Sequence, residues 1–165
     1  MLIGNPGDII GPIQSPHQAA ETWQGKVAGV LRGNPIPQEP QGRPWYCVDV
    51  RDVAAAEIKL AESSSFPSGS RVMLAAGDIV PPENISARVV ELFPEYEGRL
   101  GAGLAHGAHA KEVERNRPFW QRVHINNAKA RVELGYAFRS WDDTLQATVR
   151  SLVTVGAVNV PAPPV

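Results

Sequence analysis

Apolar and polar positions change period several times along the chain, and each change marks an element. The apolar run Met1-Leu2-Ile3 leads through Asn5-Pro6-Gly7 into Asp8-Ile9-Ile10-Gly11-Pro12, a strand running into a turn. Ser15-Pro16-His17-Gln18 opens a helix. Ser15 caps it, Pro16 suits its first position, and Gln18 completes a capping box. Apolar residues then recur at Ala19, Ala20, Trp23, Val27, Val30 and Leu31, which is helical spacing, and Gly33 is the stop. A proline-rich loop runs from Pro35 to Pro44. Trp45-Tyr46-Cys47-Val48-Asp49-Val50 is aromatic and β-branched and reads as a strand, with Asp52 as cap of a helix over Val53 to Glu62.

The second half continues the alternation. Val72-Met73-Leu74-Ala75 is a short apolar strand. Pro81-Pro82-Glu83 starts a helix whose face is Ile85, Val89, Leu92 and Phe93, limited by Pro94. Residues 98–118, rich in Gly and charge, read as the least structured stretch. Arg122-Val123-His124-Ile125 alternates like a strand, and Asn126 or Asn127 caps a helix that ends at Gly135. Ser140 with Asp143 opens the last helix, carrying Trp141, Leu145, Val149, Leu152 and Val153; residues 159–165 form a proline-rich tail. Strands alternating with helices predict an α/β fold with at least part of a parallel sheet.

Composition narrows the function classes. Hydrophobic residues make up 43% of the 165 and charged ones 20%, which suits one globular domain with a real core. With 16 basic and 17 acidic residues the net charge is -1, so there is no electrostatic case for nucleic acid or an acidic membrane surface. No apolar run approaches the roughly 20 residues of a spanning helix. The single cysteine, Cys47, has no internal disulfide partner, which points to a reducing, cytoplasmic setting.

Four segments in register carry a resemblance. They are Asn5-Pro6-Gly7-Asp8-Ile9-Ile10-Gly11-Pro12; Val48-Asp49-Val50-Arg51-Asp52-Val53-Ala54; Glu91-Leu92-Phe93-Pro94-Glu95-Tyr96; and Asn127-Ala128-Lys129-Ala130-Arg131-Val132-Glu133-Leu134-Gly135-Tyr136. Together they resemble the C-terminal half of an extended short-chain dehydrogenase/reductase, of the NAD-dependent epimerase/dehydratase superfamily. The closest branch is the dihydroflavonol reductase, cinnamoyl-CoA reductase and aldehyde reductase group. The resemblance spans residues 2–158. It implies the C-terminal part of a Rossmann-type NAD(P)-binding fold plus a small substrate-binding lobe. It also implies NAD or NADP as cofactor, with Pro6 and Gly7 approaching the nicotinamide and Ile9 and Ile10 lining the substrate pocket. Asp49 and Arg51 are expected to pair locally.

Two parts of that family's chemistry have no counterpart here. One is a Gly-rich turn between a strand and a helix, which cradles the pyrophosphate. The nearest string, Gly98-Arg99-Leu100-Gly101-Ala102-Gly103, lacks a preceding strand. The other is a Tyr with a Lys four residues on. Tyr46, Tyr96 and Tyr136 are followed at that spacing by Val50, Leu100 and Ser140. No catalytic residue is therefore assigned. The chain reads as a fragment that starts downstream of the catalytic residues, inactive alone, with an exposed half-sheet open to self-association. The alternatives are a non-catalytic binding module, or half of a nucleotide-sugar epimerase or 3β-hydroxysteroid dehydrogenase-like enzyme. His106 and His109, near Glu112 and Glu114, read as bystanders rather than metal ligands. Cys47 reads as a small buried residue and the tryptophans as packing, with Trp45 nearest the expected pocket.

Overall fold

The computed structural model describes residues 1–20, 22–36, 43–101 and 110–160. Strand β1 (Ile3–Pro6) is followed by β2 (Asp8–Ile10), and β3 (Trp45–Asp49) runs parallel to β2 with Asp8 opposite Cys47. Strand β4 (Arg71–Leu74) lies parallel to β1, pairing Ile3 with Arg71 and Pro6 with Leu74. The short β5 (Ile79–Val80) closes the other side of β3 in the antiparallel sense. The strand orders are therefore β1-β4 and β2-β3-β5, and the chain passes from one sheet to the other at Gly7.

The helices are α1 (Trp23–Leu31), α2 (Val50–Glu62), α3 (Ile85–Leu92), α4 (Ala110–Trp120) and α5 (Trp141–Thr154). Strand alternation splits the interior into two cores. Trp45 and Cys47 of β3, with Ile10 of β2, face a core closed by Val27 and Leu31 of α1, Val89 of α3 and Leu145, Val149 and Leu152 of α5. Val48, one residue out of phase, faces the other core with Val72 and Leu74 of β4 and Val53, Ala56 and Leu60 of α2. The α/β architecture with parallel pairing agrees with the alternation in the sequence.

Several local expectations are corrected. The helix from Ser15 is two pieces: a 3-10 turn over Pro16–Ala19, then α1. Gln18 Oε1 accepts from the Ser15 N–H at 3.1 Å, and Thr22 Oγ1 caps α1 by accepting from Gly25 N–H at 3.3 Å. The 3-10 turn lies so close on α1 that a Cβ at Gly25 would sit 2.5 Å from the Ala19 oxygen. Asp52 does not cap α2. Asp49 does, because the helix begins at Val50, and Asp52 lies inside the helix with no exposed surface. Residues 122–125 form no strand: no strand among the described residues lies beside them, and the Arg122 and Val123 N–H groups are instead accepted by the Phe119 and Trp120 oxygens at the end of α4. The stretch 98–118 contains most of α4, whose Glu–Arg pairs at (i, i+3) support it despite Pro118. The helix after Asn127 is a single π-helical turn, Lys129–Glu133, closed by Gly135 at φ +61°. Pro161–Val165 of the tail lie outside the described residues.

Candidate functional site

The C-terminal ends of two parallel strands meet at Pro6 and Gly7, the place where open α/β sheets receive ligands. Pro6 is exposed at the end of β1. Gly7 donates its N–H to the Leu74 oxygen at 3.0 Å, extending the β1–β4 ladder by one bond. A Cβ at Gly7 would lie 2.1 Å from the Tyr46 carbonyl oxygen. Gly7 is glycine because β3 passes against it, a reason that needs no ligand.

Asp8 fixes what comes next. Its carboxylate takes a bidentate pair from Arg43, at 2.9 Å and 2.8 Å, and accepts the Tyr46 N–H at 2.7 Å. The Arg43 guanidinium lies 5.3 Å from the Tyr46 ring centroid and 5.6 Å from that of Trp23, and Lys26 Nζ stands 3.9 Å over Trp23. An open groove of about 520 Å³ is lined here by Ile9, Thr22, Trp23, Gln24 and Lys26. Ile9 is half-buried at its wall. Ile10 points the other way and is fully buried in the α1–α5 core, so it offers a ligand no surface. Strand alternation separates the two isoleucines that the sequence groups together. Trp45 is likewise a core residue, edge-on to Trp23 at 4.8 Å.

Around this site the chain is braced by buried acids. Asp49 is paired with Arg51 at 2.8 Å and 2.5 Å, as expected. Burial pushes its carboxyl up, but hydrogen bonds and charge from Arg51, with help from Thr144, hold it below the usual carboxylate range. Asp52 accepts from Tyr136 Oη at 3.1 Å, from the Arg139 N–H at 2.8 Å and from the Arg139 guanidinium. That cluster ties α2 to the segment entering α5. It was missed because a residue read as a helix cap turned out to be a buried hub.

The chemistry of the titratable groups is passive. Burial raises the phenols of Tyr46, Tyr96 and Tyr136 above their ordinary value, with Arg43, Arg150 and Arg139 respectively opposing it. A phenol that exchanges protons with substrate needs its pKa brought down instead. Burial also pushes the Cys47 thiol far up, leaving it unreactive. Gly98-Arg99-Leu100-Gly101 does not form a phosphate cradle. Gly101 donates to the Val30 oxygen at 2.9 Å, and a Cβ there would lie 1.9 Å from the Asn34 oxygen. Gly101 is thus packed onto the end of α1, and Gly103 lies outside the described residues. Among the described residues this string therefore offers no cradle for a pyrophosphate. His106 and His109 also lie outside the described residues; among the described residues no group of three or more metal-ligating side chains gathers.

No family model and no curated protein matches the sequence. Solved structures do. Gre2 of Candida albicans in complex with NADPH is 21% identical, with a TM-score of 0.64 over 93% of this chain and 43% of its own. Yeast methylglyoxal/isovaleraldehyde reductase Gre2 complexed with NADPH is 19% identical, with a TM-score of 0.65 over 92% of this chain and 45% of its own. UDP-glucuronic acid 4-epimerase of Bacillus cereus, in complex with UDP-glucuronic acid and NAD, is 13% identical, with a TM-score of 0.67 over 93% and 45%. The fold is that of the extended short-chain dehydrogenases/reductases. The chain spans less than half the length of these extended reductases and epimerases. No helix among the described residues is long and apolar enough to cross a membrane.

Proposed function

We propose that this chain is the substrate-lobe half of an NAD(P)-dependent oxidoreductase acting on the CH–OH or carbonyl group of a small molecule, aromatic ones included. The observation that carries this reading is the open edge of β1. Strand β1 has β4 on one side and, among the described residues, no strand on the other. Parallel sheets belong to larger sheets covered on both faces, and two parallel strands alone are not self-sufficient. A groove of about 510 Å³ lined by Leu2, Gly4, Glu57, Leu60 and Ala61 follows that edge. A further parallel strand laid there would bring its C-terminal end beside Pro6 and Gly7. The Gly-rich loop and the Tyr–Lys pair would come from that added half. Pro6 and Gly7 would then border the nicotinamide, and Ile9 the substrate.

A second reading, half of a nucleotide-sugar epimerase, rests on the similarly good overlay with the Bacillus cereus enzyme. One experiment separates them. The chain is joined behind the portion of Candida albicans Gre2 that it does not cover, and the product is offered NADPH with a panel of aldehydes and ketones, then NAD with UDP-sugars. The 165-residue chain alone is expected to consume no NADPH, and the joined protein to reduce carbonyls. Turnover by the chain alone refutes the proposal. So does a joined protein that binds NADPH yet reduces no carbonyl; UDP-sugar epimerisation by it would favour the second reading.

A further inference from the structure

Three arginines converge on one groove away from the β1–β2 turn. Arg51, Arg139 and Arg150 line an opening of about 390 Å³ together with Asp143, Gln146 and Ala147. None of these residues lines the groove at Ile9 and Trp23. Arg51 follows directly on the C-terminal end of β3, where open α/β sheets receive ligands, and Asp143, Gln146, Ala147 and Arg150 share one face of α5 at helical spacing. The arginines are held from behind. Arg51 gives Nε and Nη2 to Asp49 at 2.8 Å and 2.5 Å, and Arg139 gives Nη1 to Asp52. Both carboxylates are fully buried, whereas the Arg51 and Arg139 side chains are 39% and 41% exposed. A guanidinium has five N–H donors, so each buried acid fixes a direction and leaves donors on the solvent side. The Gln146 amide in the same wall has no hydrogen-bond partner among the described residues, and Ala147 contributes only a methyl group, which leaves room.

We propose that this groove binds a phosphate group, free or as an ester. The inference does not rest on the reductase reading. With Asp49, Asp52 and Asp143 counted, the three positive charges are balanced, so bulk charge does not select the ligand. Directed donors do. A phosphate presents several strong acceptor oxygens to donors arriving from α2, from α5 and from the segment before it, whereas a monocarboxylate presents two. Asp143 is the one carboxylate in the wall, and its Oδ2 accepts from Ser140 Oγ at 2.7 Å.

The test uses the 165-residue chain with isotope-labelled arginine. Inorganic phosphate, phenyl phosphate and acetate are titrated at constant ionic strength, and the guanidinium Nε–H signals are followed by NMR. Phosphate is expected to move the Arg51 and Arg139 signals along one saturating curve, while Arg88, in its exposed pairs with Asp142 and Glu91, stays still. Saturation by inorganic phosphate alone assigns the free ion; saturation by phenyl phosphate, with or without it, assigns the ester. Ala147→Glu sets a carboxylate in the groove without touching either ion pair and should weaken binding about tenfold or more. Its urea midpoint shows whether it folds; if it does not, Gln146→Glu brings the same charge from the neighbouring position. No saturating shift with either phosphate overturns the proposal. So does acetate matching phosphate, a common drift of all arginine signals, or unchanged phosphate binding in the folded variant.

Discussion

Replacing Gly7 by alanine separates two reasons for a glycine beside a ligand site. The residue does not occupy the left-handed region, so alanine meets no backbone penalty. Everything follows from one contact. The new methyl carbon would lie 2.1 Å from the Tyr46 oxygen and 3.2 Å from its carbonyl carbon. A carbon–oxygen contact relaxes at about 3.3 Å, so β3 and the Gly7 backbone must part by about 1 Å. Both sides of that contact are already committed. Gly7 N–H bonds Leu74 at 3.0 Å and Tyr46 N–H bonds Asp8 at 2.7 Å, so parting weakens one of them. Overpacking costs about 1–3 kcal/mol and a weakened buried bond about 1 more, giving roughly 3 kcal/mol. Urea unfolding followed by circular dichroism, with no cofactor present, should show that loss as a lower midpoint at unchanged slope. Gly4→Ala is the control. Its methyl meets the ends of Leu74 and Leu60 side chains at 3.2 Å and 3.7 Å, which can give way, so the cost should stay under about 1 kcal/mol. A Gly7→Ala midpoint equal to the parent's would refute the packing argument and return Gly7 to a purely ligand-facing role.

Other outcomes follow from the same contacts. Asp52→Ala should cost about 3 kcal/mol in the same assay, because three donors lose their acceptor, though Arg139 is partly exposed and regains water; Asp52→Asn should cost less. The lowered Asp49 carboxyl contributes stability that is present above its unfolded value near 3.8 and lost as pH falls through the lower folded value. Asp49→Asn should therefore flatten the acid limb of the stability profile below about pH 4. Arg88→Ala breaks the pairs with Asp142 and Glu91, all of them well exposed, and should leave the urea midpoint close to the parent's, with the small remaining difference erased by salt. Gly29→Ala, in α1 with open space around it, should raise stability by about 0.5–1 kcal/mol, read as a higher urea midpoint.

Much of this fold is legible in local pattern, and the misses share a cause. The cores of α3 and α5 can be read from spacing because Ile85, Val89, Leu145, Val149 and Leu152 repeat on one face. The strand at Trp45–Asp49 is legible from its β-branched and aromatic run. What local pattern does not contain is the partner. Val123 and Ile125 alternate as well as any strand, yet among the described residues no strand lies beside them, and the Val123 N–H turns back to the Trp120 oxygen at 3.2 Å. Ile9 and Ile10 are equivalent as residues and opposite in role, because the pairing of β2 with β3 decides which faces α1. Asp52 looks like a cap until Arg139, 87 residues away, is brought to it.

The α1–α5 core joins the two ends of the described chain. Ile13 N–H bonds Ser151 Oγ at 3.0 Å across 138 positions, and the Arg32 guanidinium reaches the Ala157 oxygen at 2.5 Å across 125. Such a core has a high contact order, and its large closing loop is fixed before the contacts repay it. During synthesis Val27, Val30 and Leu31 wait, uncovered, until Leu145, Val149 and Leu152 emerge from the ribosome. The lobe is therefore a slow folder whose decisive step comes last. Its early helices depend in the meantime on whatever shields an apolar face inside the cell.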